Sequence, residues 1–227
     1  MPLDLTKPII YLITSGATTP ATTPESNDFA RILTQVEAAV AAQIPLLQLR
    51  EKHLNARVLY ELATRAAEIT RNTSTLLLIN DRSDIARATG ADGVHLTSGS
   101  LTADLMRDTY WSEFIIGVST HSLEQAQAAR NAGGDFVVLG PVFETESKRG
   151  FGQPLGLKKV SEAASALDDF PILAIGGVAL GNVAECFRAG AAGVAAIRLF
   201  NDAERIGKVV EEIRERYSSY QQETFSS

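Results

Sequence analysis

Apolar residues fall into short continuous runs, each followed by a polar turn and then by a stretch with helical spacing. The runs Pro8–Thr14, Pro45–Arg50, Thr75–Asn80, Gly93–Leu96, Phe114–Ser119, Phe136–Leu139, Pro171–Ile175 and Gly193–Ile197 predict eight strands. Between them the spacing predicts helices over Phe29–Ala42, with Ile32, Val36 and Val40 on one face, and over Asn55–Thr70. Further helices are expected in DRSDIARATG, from near Leu157 and over Glu204–Tyr217, with the weakest pattern at Leu101–Arg107. The stretch Ser15–Ser26, rich in Thr, Pro and Ala, reads as a loop, and the polar tail from about residue 218 to 227 is expected to fray.

Strands that are apolar throughout belong to parallel sheets covered by helices on their faces. The helix-to-strand junctions repeat: ATGADGV (residues 88–94) is echoed by NAGGDFV (131–137) and RAGAAGV (188–194). Each ends a helix on a glycine suited to a left-handed C-cap and turns directly into a strand. About eight strand–helix units close naturally into a single (β/α)₈ TIM barrel, with a doubly wound open sheet as the runner-up. No shift in composition marks a second domain, so residues 1–227 read as one.

In such a barrel chemistry sits at the carboxyl ends of the strands, and polar residues collect there. The second strand ends in Gln48, Arg50 and Lys52, the third in Asn80 and Asp81, the fourth in His95 with Thr97 and Ser100 beyond it. The fifth ends in Ser119, Thr120 and His121, the seventh in Gly176-Gly177 and the eighth in Arg198. The sixth opens a long stretch, LGPVFETESKRGFGQPLG, with neither helix nor strand period, in which Thr145, Ser147 and Lys148 offer hydroxyls and a point charge to phosphate oxygens.

Each feature has a plain structural reading beside the functional one. The glycine pair could be a tight turn, although between the seventh and eighth strands it falls on the usual phosphate site of the fold. Arg50, Lys52 and Lys148 could be surface cations, yet their convergence with Asn80 and Asp81 suits a diphosphate with bridging Mg²⁺. His121 precedes a helix start, so capping and proton transfer account for it equally. His95 reads as packing at the barrel rim, His53 as solvent-facing and Trp111 as packing. Cys186, the only cysteine, reads as a buried inert thiol and excludes a disulfide within the chain. A net charge of −6 argues against nucleic-acid or anionic-membrane partners. The N-terminus MPLDLTKPIIYLIT carries neither a signal-peptide pattern nor a span, so a cytoplasmic protein is expected. The oligomeric state, a homo-oligomer included, is left open.

The stretches QLREK, LLINDRSDIARATGADGVHL, IGVSTHSLEQA, LGPVFETESK, PLGL and PILAIGGV resemble the thiamine-phosphate synthase/TenI family, from the second strand to the seventh and eighth. The resemblance implies a (β/α)₈ barrel in which aminopyrimidine diphosphate ionises and the nitrogen of a thiazole phosphate captures the pyrimidine cation, releasing diphosphate. It implies that Gln48, Arg50, Lys52, Asn80 and Lys148 hold the diphosphate and that Asp81 ligates Mg²⁺. It also places Thr145 and Ser147 near the thiazole phosphate, with Gly177 donating its backbone N–H. An ionising diphosphate gains negative charge as it leaves, so fixed cations stabilise the transition state more than the ground state.

Three positions depart from the synthase pattern. Thr97-Ser98-Gly99-Ser100 stands where synthases usually have Gly-Gln-Glu-Asp, so Ser100 replaces a carboxylate at the metal, and a hydroxyl is a poorer ligand for a hard cation. The loop reads Thr145-Glu146-Ser147-Lys148 in place of Thr-Pro-Thr-Lys, and Arg198 occupies the usual place of a serine. The wording is also similar to TenI-type thiazole tautomerases, which shift a proton on a carboxythiazole phosphate with a histidine at the position of His121. Synthase is the leading expectation, tautomerase the second, and a non-catalytic phosphate-binding regulatory barrel the third.

Overall fold

The computed structural model describes residues 3, 6–110, 113–144 and 153–225. Eight parallel strands form a closed barrel in chain order: β1 (Ile9–Ile13), β2 (Leu46–Leu49), β3 (Leu76–Asn80), β4 (Gly93–Leu96), β5 (Ile115–Thr120), β6 (Phe136–Leu139), β7 (Ile172–Ile175) and β8 (Gly193–Ala196). Closure is made by β8 on β1, where Ile9 faces Gly193 and Tyr11 faces Ala195. The helices are α1 (Asn27–Ala41), α2 (Ala56–Thr70), α3 (Ser83–Thr89), α4 (Ala103–Thr109), α5 (Leu123–Asn131), α6 (Gly156–Leu167), α7 (Val183–Arg188) and α8 (Ile206–Phe225). The barrel expectation therefore holds and the open sheet does not.

Strand alternation divides the apolar residues into two cores. Ile9, Tyr11, Ile13, Leu46, Leu78, Ile115, Phe136, Val138 and Leu173 fill the lumen. Their neighbours, among them Ile10, Leu12, Leu47, Ile79, Val94, Val137 and Val194, pack outward against Phe29, Val36, Leu62 and Phe187 of the helices. Gly117 is required by this packing: a methyl group there would lie 2.4 Å from Phe136 Cζ and 2.8 Å from His95 Nδ1.

The repeated junctions have a second purpose beyond the glycine cap. Asp92 and Asp135, one in each of the first two repeats, reach back to the preceding strand and accept the N–H of Leu77 and Ile116, each at 2.7 Å. Arg107 adds a guanidinium contact to Asp135 at 2.7 Å and also donates to the carbonyls of Gly133 and Phe114. The third repeat has Ala192 at that place and lacks this brace.

The last helix is longer than its sequence pattern, which ended at Tyr217: α8 continues to Phe225. Tyr217 packs edge-on to Phe187 with ring centroids 5.0 Å apart, and Arg188 pairs with Glu223 at 3.2 Å. Among the described residues no helix is long and apolar enough to cross a membrane. Cys186 is buried, and burial pushes its thiol up to about 12, in keeping with an inert role.

Candidate active site

Parallel strands place all their carboxyl ends at one mouth, and the predicted residues gather there. Gln48 is buried on β2, Arg50 follows that strand, and Lys52 lies exposed in the next turn. Asn80 ends β3; Asp81 follows it, held at a left-handed φ of +58° that an aspartate tolerates better than most residues. Ser119 lies within β5, and His121 just beyond it. Gly176 and Gly177 follow β7, and Arg198 opens a single 3₁₀ turn, Arg198–Phe200, after β8. Thr145, Ser147 and Lys148 lie outside the described residues, as does Trp111. The neck of their loop is defined: Leu155 and Gly156 donate to the carbonyls of Pro141 and Val142, at 2.8 and 3.1 Å.

Asp81 is held by neutral donors. Asn80 Nδ2 donates to its Oδ2 at 2.7 Å, and Thr97 Oγ1 to its Oδ1 at 3.1 Å. Ser100 Oγ donates to the same Oδ1 and accepts the Thr97 N–H at 2.6 Å. Ser100 therefore steadies Asp81. No cation pairs with this carboxylate among the described residues, so its full charge stays available to a divalent ion. Arg50 and Lys52 likewise have no ion-pair partner among the described residues. Mg²⁺ asks for one or two carboxylates plus substrate oxygens and water, and Asp81 offers one such carboxylate at this mouth.

Below the mouth lies a polar layer that strand reading missed in part. Tyr11, Gln48, Asn80 and His95 come from four consecutive strands, β1 to β4, and all face the lumen. Tyr11 Oη, Gln48 Nε2, Asn80 Oδ1 and His95 Nδ1 are buried with no hydrogen bond of good geometry among the described residues, although Tyr11 and Gln48 lie close enough to interact. Each such atom costs about 1–3 kcal/mol if left unpaired. Together they leave unused hydrogen-bonding capacity on four neighbouring strands beneath the mouth. The expectation for His95 needs correction: it is 2% exposed, packed between Tyr11 and Phe136 with centroids 5.6 and 6.1 Å away, and lies in the lumen rather than at the rim. It has the parity of Gly93 on β4, which already points inward. Burial also raises the Tyr11 hydroxyl well above the usual phenol range, with the neighbouring Gln48 acting the other way.

His95 Nε2 lies 2.8 Å from Ser119 Oγ. Burial drives its pKa down to about 3; Asp81 opposes the shift and Arg50 reinforces it. The folded protein therefore keeps this imidazole neutral where the unfolded chain, near 6.5, takes a proton. Stability contributed by His95 is complete above pH 6.5 and falls as pH drops towards 3, by at most ~1.4 kcal/mol per unit. Between pH 7.5 and 5.5, urea unfolding should show the native protein losing about 1 kcal/mol more than His95→Gln. Equal pH dependence in the two would mean that His95 titrates normally.

His121 stands at its helix start without capping it through the imidazole. The helix start is capped by its neighbours: Ser122 Oγ accepts from Gln125 N at 3.2 Å, and Gln125 Oε1 accepts the His121 backbone N–H at 2.8 Å. The imidazole is left over, and its Nδ1 bonds the carbonyl oxygen of Gly140. A carbonyl only accepts, so the proton of the neutral ring sits on Nδ1 and Nε2 is the basic nitrogen.

The glycine pair differs from expectation in one respect. It does not lead straight into a helix: Ala179 and Asn182 form an intervening turn, with Asn182 Nδ2 on the Gly177 carbonyl at 3.0 Å. Both glycines have positive φ, +91° and +67°, and a methyl group on either would meet Pro141 or the Glu144 carbonyl at 2.5 Å. Their smallness lets the long loop dock on β7, where Phe143 N–H donates to Gly176 O at 2.9 Å.

The family model described as thiamine monophosphate synthase matches residues 19–200. The chain belongs to the thiamine-phosphate synthase family. A putative thiamine-phosphate synthase of Geobacter sulfurreducens is 43% identical over 166 residues, covering 73% of this chain and 78% of that one. A thiamine-phosphate synthase of Roseiflexus castenholzii is 37% identical over 196 residues, 86% of each chain. Among solved structures, thiamine phosphate pyrophosphorylase from Pyrococcus furiosus superposes with a TM-score of 0.76 at 27% identity, covering 96% of this chain and 98% of that one. Sequence reasoning passed over Tyr11, whose hydroxyl lies in the polar layer, and Glu51, which follows Arg50.

Proposed function

We propose that this family member is a cytoplasmic transferase that joins an aminopyrimidine diphosphate to a thiazole phosphate. The observation that carries the reading is the grouping at one mouth of Arg50 and Lys52, without ion-pair partners among the described residues, beside the uncompensated Asp81 and above the buried polar layer. The bond from the pyrimidine methylene carbon to the diphosphate oxygen breaks, and the electron pair leaves with diphosphate. The thiazole nitrogen then supplies the pair for the new carbon–nitrogen bond, so no protein nucleophile is needed. Arg50 and Lys52 meet the charge that grows on the leaving oxygens, the kind of interaction that lowers a barrier most. Mg²⁺ held at Asp81 would supply further neutralisation of that charge. Gln48 and Asn80 are assigned to the diphosphate with Arg50 and Lys52, while Tyr11, His95 and Ser119 offer further polar atoms on the neighbouring strands. Lys148 is assigned to the diphosphate, and Thr145, Ser147, Gly177 and Arg198 to the thiazole phosphate.

The reading is tested by mixing the protein with both substrates, with and without Mg²⁺, and following thiamine phosphate. No product with Mg²⁺ present would overturn it. A second reading, thiazole tautomerase, is favoured by one observation, the basic Nε2 of His121. A positioned base contributes about 10²–10⁴-fold to a proton shift, whereas ionisation and capture need none. His121→Ala is therefore expected to lower thiamine phosphate formation less than tenfold. A loss of ~10²-fold or more in carboxythiazole phosphate isomerisation, without a matching loss in condensation, would assign His121 to the tautomerase reaction.

A further inference from the structure

Glu51 stands between the two cations of the proposed diphosphate site and is 3% exposed. Its carboxylate is spent on neutral groups of the loop after β1. Oε1 accepts the Gly16 N–H at 3.2 Å; Oε2 accepts the Thr18 hydroxyl at 2.7 Å and lies 3.4 Å from the Thr18 N–H. Thr18 is itself 3% exposed. Burying a carboxylate costs heavily unless hydrogen bonds repay it, and bonds to an ionised acceptor are the strong kind.

The loop so held bears directly on Arg50. Thr14 Oγ1 accepts the Arg50 N–H at 2.9 Å. Gly16, at a φ of +69°, presents bare backbone to that residue: a methyl group there would lie 3.0 Å from the Arg50 carbonyl and 3.3 Å from Nη1 of its guanidinium. Thr14, Gly16 and Thr18 thus form a rail along Arg50 and Glu51. Thr14 fixes the Arg50 backbone, Gly16 forms a wall beside its guanidinium, and Glu51 fastens the wall.

We infer that Glu51 is a positioning residue for the reaction: through Gly16 and Thr18 it seats the first loop against Arg50 and aims the guanidinium at the diphosphate. This rests on the assignment of Arg50 to that site. The Glu51 carboxylate is taken up by Gly16 and Thr18, so its loss should act through Arg50.

The test is calorimetric titration of inorganic diphosphate with Mg²⁺ into the wild type, Arg50→Ala, Glu51→Ala and the double variant. Each has its melting midpoint recorded and its KM for thiazole phosphate measured. Glu51→Ala should weaken diphosphate binding about tenfold and change the KM for thiazole phosphate by less than about twofold. In the double variant the losses should not add, because residues acting as a unit are non-additive. Thr18→Val removes the hydroxyl at nearly constant volume and should weaken binding about threefold with a similar melt. That variant, with Glu51→Gln, decides the matter if Glu51→Ala does not fold. Lowered melting with unchanged diphosphate affinity, or multiplicative losses in the double variant, would make Glu51 a merely structural anchor and overturn the inference. An unchanged affinity in Arg50→Ala would instead remove Arg50 from the site, and the inference would fall with that assignment.

Discussion

Arg50→Ala should lower kcat/KM for the pyrimidine diphosphate by about 10²–10³-fold, the usual cost of deleting one fixed group that meets transition-state charge. Arg50 has its backbone tied to the buried Thr14 and its guanidinium beside Gly16, so little reorganisation is needed as the leaving oxygens gain charge. The loss should appear in kcat as well as KM, since the leaving group carries more charge at the transition state than in bound substrate. Arg50→Lys should recover part of the rate, as a point charge lacks the planar fork. Initial rates under first-order conditions measure both variants. A change of threefold or less in Arg50→Ala would place the residue outside the reacting centre.

The barrel was legible because its strands are short apolar runs, most of them bounded by glycine, proline or aspartate, and because three junctions repeat. Parallel strands then brought Gln48, Arg50, Asn80, Asp81 and Ser119 to one end without further information. What escaped the sequence depended on contacts between distant residues. SSYQQETF has little apolar character of its own and becomes helix because Tyr217 meets Phe187 and Glu223 meets Arg188. His95 looked peripheral because a histidine near a strand end usually is. Its parity with Gly93, and the space that Gly117 leaves for it, decide otherwise. Glu51 was hidden by its neighbours: in QLREK the cations invite attention, and only the fold shows the carboxylate turned away from them onto the first loop. The glycine pair was read as an anion cradle, while its demonstrable constraint is the approach of Pro141 and Glu144.

Asp81→Asn should be nearly as damaging as loss of Arg50, about 10²-fold or more in kcat/KM at moderate Mg²⁺, with the metal requirement raised. The substitution removes the charge at nearly constant shape, with the Asn80 amide turning its Oδ1 towards the new NH₂ that replaces Oδ2. Asparagine also tolerates the left-handed backbone at this position, and its carbonyl can still accept from Thr97 and Ser100. What disappears is the negative charge that no cation offsets among the described residues. Ser100→Asp makes the opposite change. It replaces a donor to Asp81 with a second carboxylate, so in chelator two like charges face each other and the melting midpoint should fall. Added Mg²⁺ should bring it back, because a divalent ion bridging two carboxylates removes the repulsion and stabilises the form that binds it. The same variant should need less Mg²⁺ than the wild type for half-maximal thiamine phosphate formation. The melt and the assay are independent readouts of one pair of oxygens. If Asp81→Asn keeps its rate across a Mg²⁺ series and Ser100→Asp melts alike with and without the metal, Asp81 is not where the ion sits.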